Sequence, residues 1–384
     1  MSQWIEGNGG VYVAGIGLHP YQFPNDTPYT HLGLTAVRAA LSDARLRFDQ
    51  VQSAYVGTTS IGMAAGRVML RHLGSTGLAV TQVENASASG SFAFRQACQE
   101  VALGISDVVL AIGVDKHGDG RRAANKDGLE RLSDTATIPA VKFAMMARRY
   151  LRERGADLRA LANVAVKNHG NAARNPFAQF RKPRTLEQVL ASPKVVGDLT
   201  VQQCCPRGDG AAAVLVVSGN ALRRLGLEPK RCVRVLSSVA TSERDEAEYG
   251  DGAIELVRTS AAAALEQAAV APLDLDLVEL HDAFSVEELL YSEAIGVCGP
   301  GEGADYLARG DSAIGGRCAI NASGGLIGMG HPLGPTGIGQ IAELTRQLRG
   351  EASGRQHEGA RLGMAHMIGL GSVAIAHVLA AAGR

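Results

Sequence analysis

Short apolar runs alternate along this chain with longer stretches whose apolar residues recur at helical spacing. Val11–Ile16 has the length and composition of a strand, His31–Leu46 has helical spacing, and Ser53–Val56 again reads as a strand. Ser91–Leu103 predicts a helix, followed by the continuous apolar run Asp107–Val114, a buried strand. Strand and helix alternate in this way in α/β proteins with a layered, mostly parallel sheet. The second half repeats the order: strand at Cys232–Leu236, Ala-rich helix at Thr259–Ala269, strand at Leu277–Leu280 running into His281, helix at Ile338–Arg349, closing strand at Ser372–Leu379. Each half also carries an Asn followed closely by Ser-Gly and then a long helix, at Asn85–Gly90 and at Asn321–Gly325. These repeats predict a duplicated domain whose equivalent loops meet at one site.

The stretch 117–200 departs from the repeat. It holds 16 Lys and Arg against 8 Asp and Glu. Helical material at Ala140–Arg154 and Leu158–Asn168 precedes a turn-rich NPFAQFRKPRT. It reads as an inserted loop domain whose basic character suits a ligand with several phosphates, or as a solvated helical excursion. The expected organisation is therefore 1–116 plus 201–222 as one half, 117–200 as the insertion, and 223–384 as the other half.

Composition narrows the class. With 384 residues, 46% of them hydrophobic, the chain can bury a large core or two adjacent ones. Lys and Arg balance Asp and Glu at 38 each, so no global field draws it to nucleic acid or an anionic membrane. No apolar run reaches the ~18–20 residues of a bilayer span. The opening MSQWIEGNGG lacks a basic region followed by an apolar stretch, so no signal peptide is expected. The 6 cysteines form no CxxC pair and no metal spacing with histidine, which predicts reduced thiols in the cytoplasm and no metal site. Cys204, Cys205, Cys98 and Cys318 read as packing residues.

The densest chemical signal is Asn321 to Gly339, NASGGLIGMGHPLGPTGIG, with His331-Pro332 at its centre. Clustered glycines let backbone approach a ligand closely, and a histidine pinned before a proline at a helix entrance suits a general base. This stretch resembles the histidine motif of thiolases. The resemblance extends along the chain. Val83 to Ser91, VENASASGS, resembles the nucleophile loop, with Ser87 where that family has cysteine. Lys167-Asn168-His169 and His281-Asp282-Ala283-Phe284 resemble stretches of the sterol-carrier-protein type. Ala365 to Gly371 resembles the C-terminal loop, in which His366 takes the place of a second cysteine. The stretch from His281 to Gly303 looks most like the bacterial benzoylsuccinyl-CoA-thiolase-like branch.

The resemblance implies two similar βαβαβαββ halves in a five-layered α-β-α-β-α core, an inserted loop domain over the ligand, and a homodimer or tetramer. It implies coenzyme A as substrate or product and no tightly bound cofactor. It also implies a small zinc-ribbon and OB-fold partner protein, and neither nucleic acid nor membrane as partner. By the same resemblance residue 87 holds an acyl group, His331 is its base, and His366 handles the α-proton. His281 and His331 hold an enolate oxygen, while the amides of residue 87 and Gly369 form a second oxyanion hole. Asn321 orients a loop or a water beside His281, and Met329 and Gly325 lie against substrate. Asp282 reads as the cap of the helix that follows it.

Serine at position 87 leaves three readings. A serine hydroxyl is far harder to ionise than a thiol, and no Ser-His-Asp relay is visible in the sequence. The leading expectation is a β-ketoacyl-CoA thiolase of aromatic, steroid or fatty acyl-CoA breakdown, disabled by a Cys-to-Ser change. The second is a retro-aldolase acting on a β-hydroxyacyl-CoA, which needs no acyl-enzyme. The third is a non-catalytic acyl-CoA or lipid-binding protein.

Overall fold

The computed structural model describes residues 4–117, 139–243, 252–370 and 372–383; positions 118–138 of the basic insertion fall outside them. Ten strands form one array: β1 (Val11–Gln22), β2 (Ser53–Gly57), β3 (Ala79–Val83), β4 (Val108–Asp115), β5 (Asp209–Ser218), β6 (Val233–Ser242), β7 (Leu277–Glu279), β8 (Ala319–Ile320), β9 (Leu362–Gly369) and β10 (Val373–Ala380). Their spatial order is β8-β7-β9-β10-β6-β1-β5-β4-β2-β3. Read outward from the centre, each half has the same internal order, so the strands of the first half map one to one onto those of the second. The halves join where β1 and β6 pair antiparallel at Val11–Val235, Tyr12–Arg234 and Val13–Val233.

The sheet is mixed rather than mostly parallel. In each half the β2- or β7-centred pairs are parallel, while β5 or β10 pairs antiparallel on both of its sides. The last strand of the second half follows β9 through a tight turn, which forces the antiparallel pairing.

Helices α1 (Tyr29–Ala44), α2 (Ser89–Ala102), α3 (Pro139–Arg154), α4 (Leu158–Ala172), α5 (Gly252–Ala268), α6 (Ser285–Ile295), α7 (Gly325–Gly328) and α8 (Leu333–Arg349) position the rest. Strand residues alternate between two apolar layers, which is why whole strands read as continuous apolar runs. On β4, Val109 and Ala111 join Phe94 of α2 and Ile338 and Ile341 of α8 in a central core. Its neighbours Leu110 and Ile112 face Val37, Ala40 and Leu41 of α1. On the far side, Met364 of β9 and Ala376 of β10 face Val257, Ala261 and Ala264 of α5. The layers are therefore α1, sheet, α2 with α8, sheet, α5. Helices α3 and α4 lie outside this sandwich, with Tyr150 and Leu161 packed against Val286 and Leu289 of α6.

Helices α2 and α8 are equivalent in the two halves, and they meet at their N-termini on a glycine. A Cβ on Gly90 would lie 2.2 Å from the Gly334 carbonyl oxygen, which is backbone and cannot swing aside. Gly90→Ala is therefore expected to cost about 3 kcal/mol, read as a lower urea midpoint, because it pushes the two helices apart.

Candidate active site

Residue 87 lies on a knotted turn before α2. Ala88 N and Ser89 N donate back to Asn85 O and Ala86 O at 3.0 and 3.1 Å, and Ser89 Oγ accepts from Asn85 N at 2.9 Å. Ala86 takes the left-handed φ of 49° that the turn needs. In the corresponding loop of the second half, Asn321 is also left-handed, with φ 54°. From the other side, Asp115 at the end of β4 accepts from Gly334 N at 2.6 Å and from Thr58 Oγ1 at 2.8 Å. That carboxylate ties the start of α8 to the loop after β2. The result is that Ser87 Oγ stands 3.1 Å from His331 Nε2.

The proton on this pair can be placed. Thr336 Oγ1 donates its only proton to Pro332 O at 2.6 Å, so toward His331 Nδ1, 3.0 Å away, it accepts. Nδ1 then carries the imidazole proton and Nε2 presents its lone pair to Ser87 Oγ, which donates. Thr336→Val removes that acceptor and frees the ring to flip tautomer. Any activity routed through His331 Nε2 is expected to fall about 10-fold, with Thr336→Ser restoring it.

His281 follows β7 and completes the site. The Asn321 side chain accepts from Leu280 N at 2.9 Å and so holds the adjoining backbone. His281 Nδ1 lies 3.0 Å from Glu287 Oε1, while Glu287 Oε2 accepts from Phe284 N at 2.8 Å at the start of α6. The same carboxylate receives the hydroxyl of Tyr291, one helical turn on, and burial holds that phenol well above its ordinary range. Fully buried, Glu287 thus binds three donors and leaves His281 Nε2 turned away from it. The His281 and His331 rings stand perpendicular with centroids 5.5 Å apart.

Ser87, His281, His331, Glu287 and Tyr291 line a cavity of about 970 Å³. Its walls include Phe143 and Phe284, stacked at 4.4 Å, together with Phe180, Leu333 and Ile368. Lys142 and Arg207 contribute charge, and the exposed Val195, Val201 and Leu370 mark its rim.

Several other residues singled out in the sequence do not line the cavity. His366 sits inside strand β9 rather than in a loop, with no exposed surface. Its Nε2 is 2.9 Å from Ser260 Oγ on α5, and burial lowers its pKa to about 3, so it is neutral. Met329 packs in the central core beside Tyr21 and Ile338. Gly325 opens α7, where a side chain would run into the Asp282 carboxylate. Asp282 does not cap α6; it accepts from Leu326 N of α7 at 2.6 Å and from Asn168 Nδ2 at 2.8 Å. Buried beside Glu288, its carboxyl is held well above the usual range. Gly369 abuts the nucleophile turn, with Asn85 O where its Cβ would be. Cys204 and Cys205, read as packing residues, both line the cavity, because Cys205 N donates to Ala283 O at 2.8 Å. Burial pushes the Cys204 thiol up to about 12, so it does not replace the missing nucleophile. Glu287 and Thr336 escaped the sequence reading. Their signals were present: a Glu at the third position of the helix after His281, and a hydroxyl in the first turn after His331-Pro332.

The thiolase N-terminal domain family matches residues 22–188, and the thiolase C-terminal domain-like family matches 238–381. Benzoylsuccinyl-CoA thiolase subunit BbsB of Thauera aromatica is 37% identical over 372 residues, covering 94% of this chain and 95% of its own. The chain belongs to the thiolase family. Sterol carrier protein 2 of Gallus gallus is 36% identical over 95% of this chain and 70% of its own length. Among solved structures, the Ltp2–ChsH2(DUF35) aldolase superposes with a TM-score of 0.86 at 26% identity, over 97% of this chain and 98% of that one. Among the described residues no helix is long and apolar enough to cross a membrane, and no His, Cys, Asp and Glu side chains group as metal ligands.

Proposed function

We propose that this thiolase-family chain breaks the Cα–Cβ bond of a β-hydroxyacyl-CoA by retro-aldol cleavage. One observation carries this reading: the cavity presents a His–Glu pair beside Ser87 and His331, while His366, which the thiolase resemblance casts as the further acid/base, is fully buried behind Tyr291, does not line the cavity and is engaged by Ser260. A β-ketoacyl-CoA thiolase needs both an acyl-carrying thiolate and a second group for the α-proton. A retro-aldolase needs one base and a place for negative charge. His281 Nε2 takes the β-hydroxyl proton, and the imidazolium is stabilised by Glu287. The Cα–Cβ bond breaks, its electron pair passes into the thioester enolate, and a carbonyl compound departs. His281 returns the proton to the α-carbon, so no net proton or free CoA is consumed. The N-terminal turn of α2, next to Ser87, favours the enolate oxygen.

Coenzyme A is then the handle of both the substrate and the shortened acyl-CoA product, with Lys142 and Arg207 available to its phosphates. On this reading the described part of the insertion, 139–200, forms with the 205–207 segment the loop domain that covers it. The aldolase neighbour bears the names of two components, which supports a small partner protein for this chain; a zinc-ribbon and OB-fold protein is the proposed kind. The edge strand β3, largely exposed, supports pairing into a homodimer. All six cysteines are free, which fits a reducing cytoplasm.

A second reading rests on the identity to benzoylsuccinyl-CoA thiolase: CoA-dependent cleavage of a β-ketoacyl-CoA through residue 87, which serine impairs. The purified chain is tested with a β-hydroxyacyl-CoA without CoA, and with a β-ketoacyl-CoA plus CoA, products being followed by mass spectrometry. Cleavage of the hydroxy compound alone is the expected result. Turnover of the keto compound alone would overturn it.

A further inference from the structure

The retro-aldol route leaves a nucleophile unused. Ser87 Oγ lines the cavity, 8% exposed, and donates to an imidazole whose tautomer Thr336 fixes. We infer that Ser87 and His331 also hydrolyse acyl-CoA thioesters, making the chain a slow CoA thioesterase. Only the position of a bound thioester at this site is assumed, and retro-aldol activity is not.

The chemistry closes without any further reactant but water. Ser87 Oγ attacks the thioester carbonyl as His331 Nε2 takes its proton; the C–S bond breaks and the proton passes to the CoA thiolate. The acyl group now sits on oxygen. In a cysteine enzyme the acyl group moves between two thioesters of similar energy, so it returns readily to CoA. An oxygen ester is more stable than a thioester because its carbonyl is better conjugated, so return to CoA from Ser87 is uphill. Water is then the favoured acceptor. It enters where the CoA sulfur stood, His331 Nε2 takes its proton, the tetrahedral intermediate collapses and Ser87 regains its hydrogen. The products are a carboxylic acid and free CoA. The rate is low because His331 Nδ1 rests on the Thr336 hydroxyl rather than on the carboxylate of a Ser-His-Asp triad.

Benzoyl-CoA is the probe. Offered as the sole thioester, it has no α-hydrogen to make an enolate partner and no β-oxygen, so neither Claisen condensation, thiolysis nor retro-aldol cleavage can release CoA from it. Equal amounts of benzoate and CoA are expected, at about 100-fold the rate of Ser87→Ala, with a benzoyl ester on the Ser87 peptide after acid quenching. Equal rates for the two proteins, or CoA release with no ester on Ser87, would overturn the proposal. Should Ser87→Ala fold poorly, the peptide measurement on the unaltered chain decides alone. Failure of retro-aldol cleavage on a β-hydroxyacyl-CoA leaves this result untouched, so the two readings fall separately.

Discussion

His281→Asn is expected to lower kcat for β-hydroxyacyl-CoA cleavage by about 100- to 1,000-fold while leaving KM within a few-fold. The loss falls on kcat because His281 Nε2 is needed only when the hydroxyl proton moves. Glu287→Gln is a milder version of the same test. The glutamine carbonyl still accepts from His281 Nδ1, now 3.0 Å from the carboxylate, but supplies no charge to the imidazolium. A drop of about 10-fold is expected, smaller than for His281→Asn. His331→Asn separates the alternatives. If it costs as much as His281→Asn, the base assignment is shared between the two rings, whose centroids lie 5.5 Å apart. If only His331→Asn is costly, the base is His331 and the His281–Glu287 pair is scaffolding. Steady-state kinetics of the three variants on one substrate decide this.

What the amino-acid order revealed, and what it hid, follows from which contacts are local. Strand positions such as β1, β2 and β4 were legible because those strands are buried on both faces and read as apolar runs, whereas the exposed edge strand β3 was not. The duplication was legible for the same reason, and it placed Asn85–Gly90 and Asn321–Gly325 in equivalent loops. It did not show that α2 and α8 touch through Gly90, yet that contact brings Ser87 to His331, 244 positions later. His366 shows the limit most clearly. Its motif reads as a loop, but the residue pairs with Ala376 inside a hairpin of β9 and β10. The two-residue period of the strand then points its ring at α5 and Ser260, 106 positions away. Nothing local to Ala365–Gly371 carries that information. Strand direction was hidden too, since the apolar run of β5 is the same whichever way it pairs. Cys204 and Cys205 read as packing residues; their contact with the 283–284 segment brings them to the cavity.

Ser87→Cys is expected to open a reaction that the unaltered chain performs poorly. A thiol placed where the hydroxyl stands, 3.1 Å from His331 Nε2, can pass its proton to the imidazole and become a thiolate at the N-terminal end of α2, where the helix dipole favours negative charge. An acyl group on that sulfur lies at the same level as in acyl-CoA, so the uphill return to CoA disappears. CoA-dependent cleavage of a β-ketoacyl-CoA is expected to rise by about 100-fold over the serine form. Retro-aldol cleavage changes little if His281 is its base, because that base does not touch residue 87. The size of the gain also reports on His366. Full thiolase rates require a group in the cavity for the α-proton, and His366, neutral and engaged by Ser260, does not supply it there. A partial gain, with little thioester at position 87 in acid-quenched samples of the variant, therefore means that the first half-reaction lacks the acid that protonates the departing enolate. A full gain means that His281 or His331 serves both half-reactions, that serine alone holds the thiolase chemistry back, and that the retro-aldol reading gives way to acyl transfer.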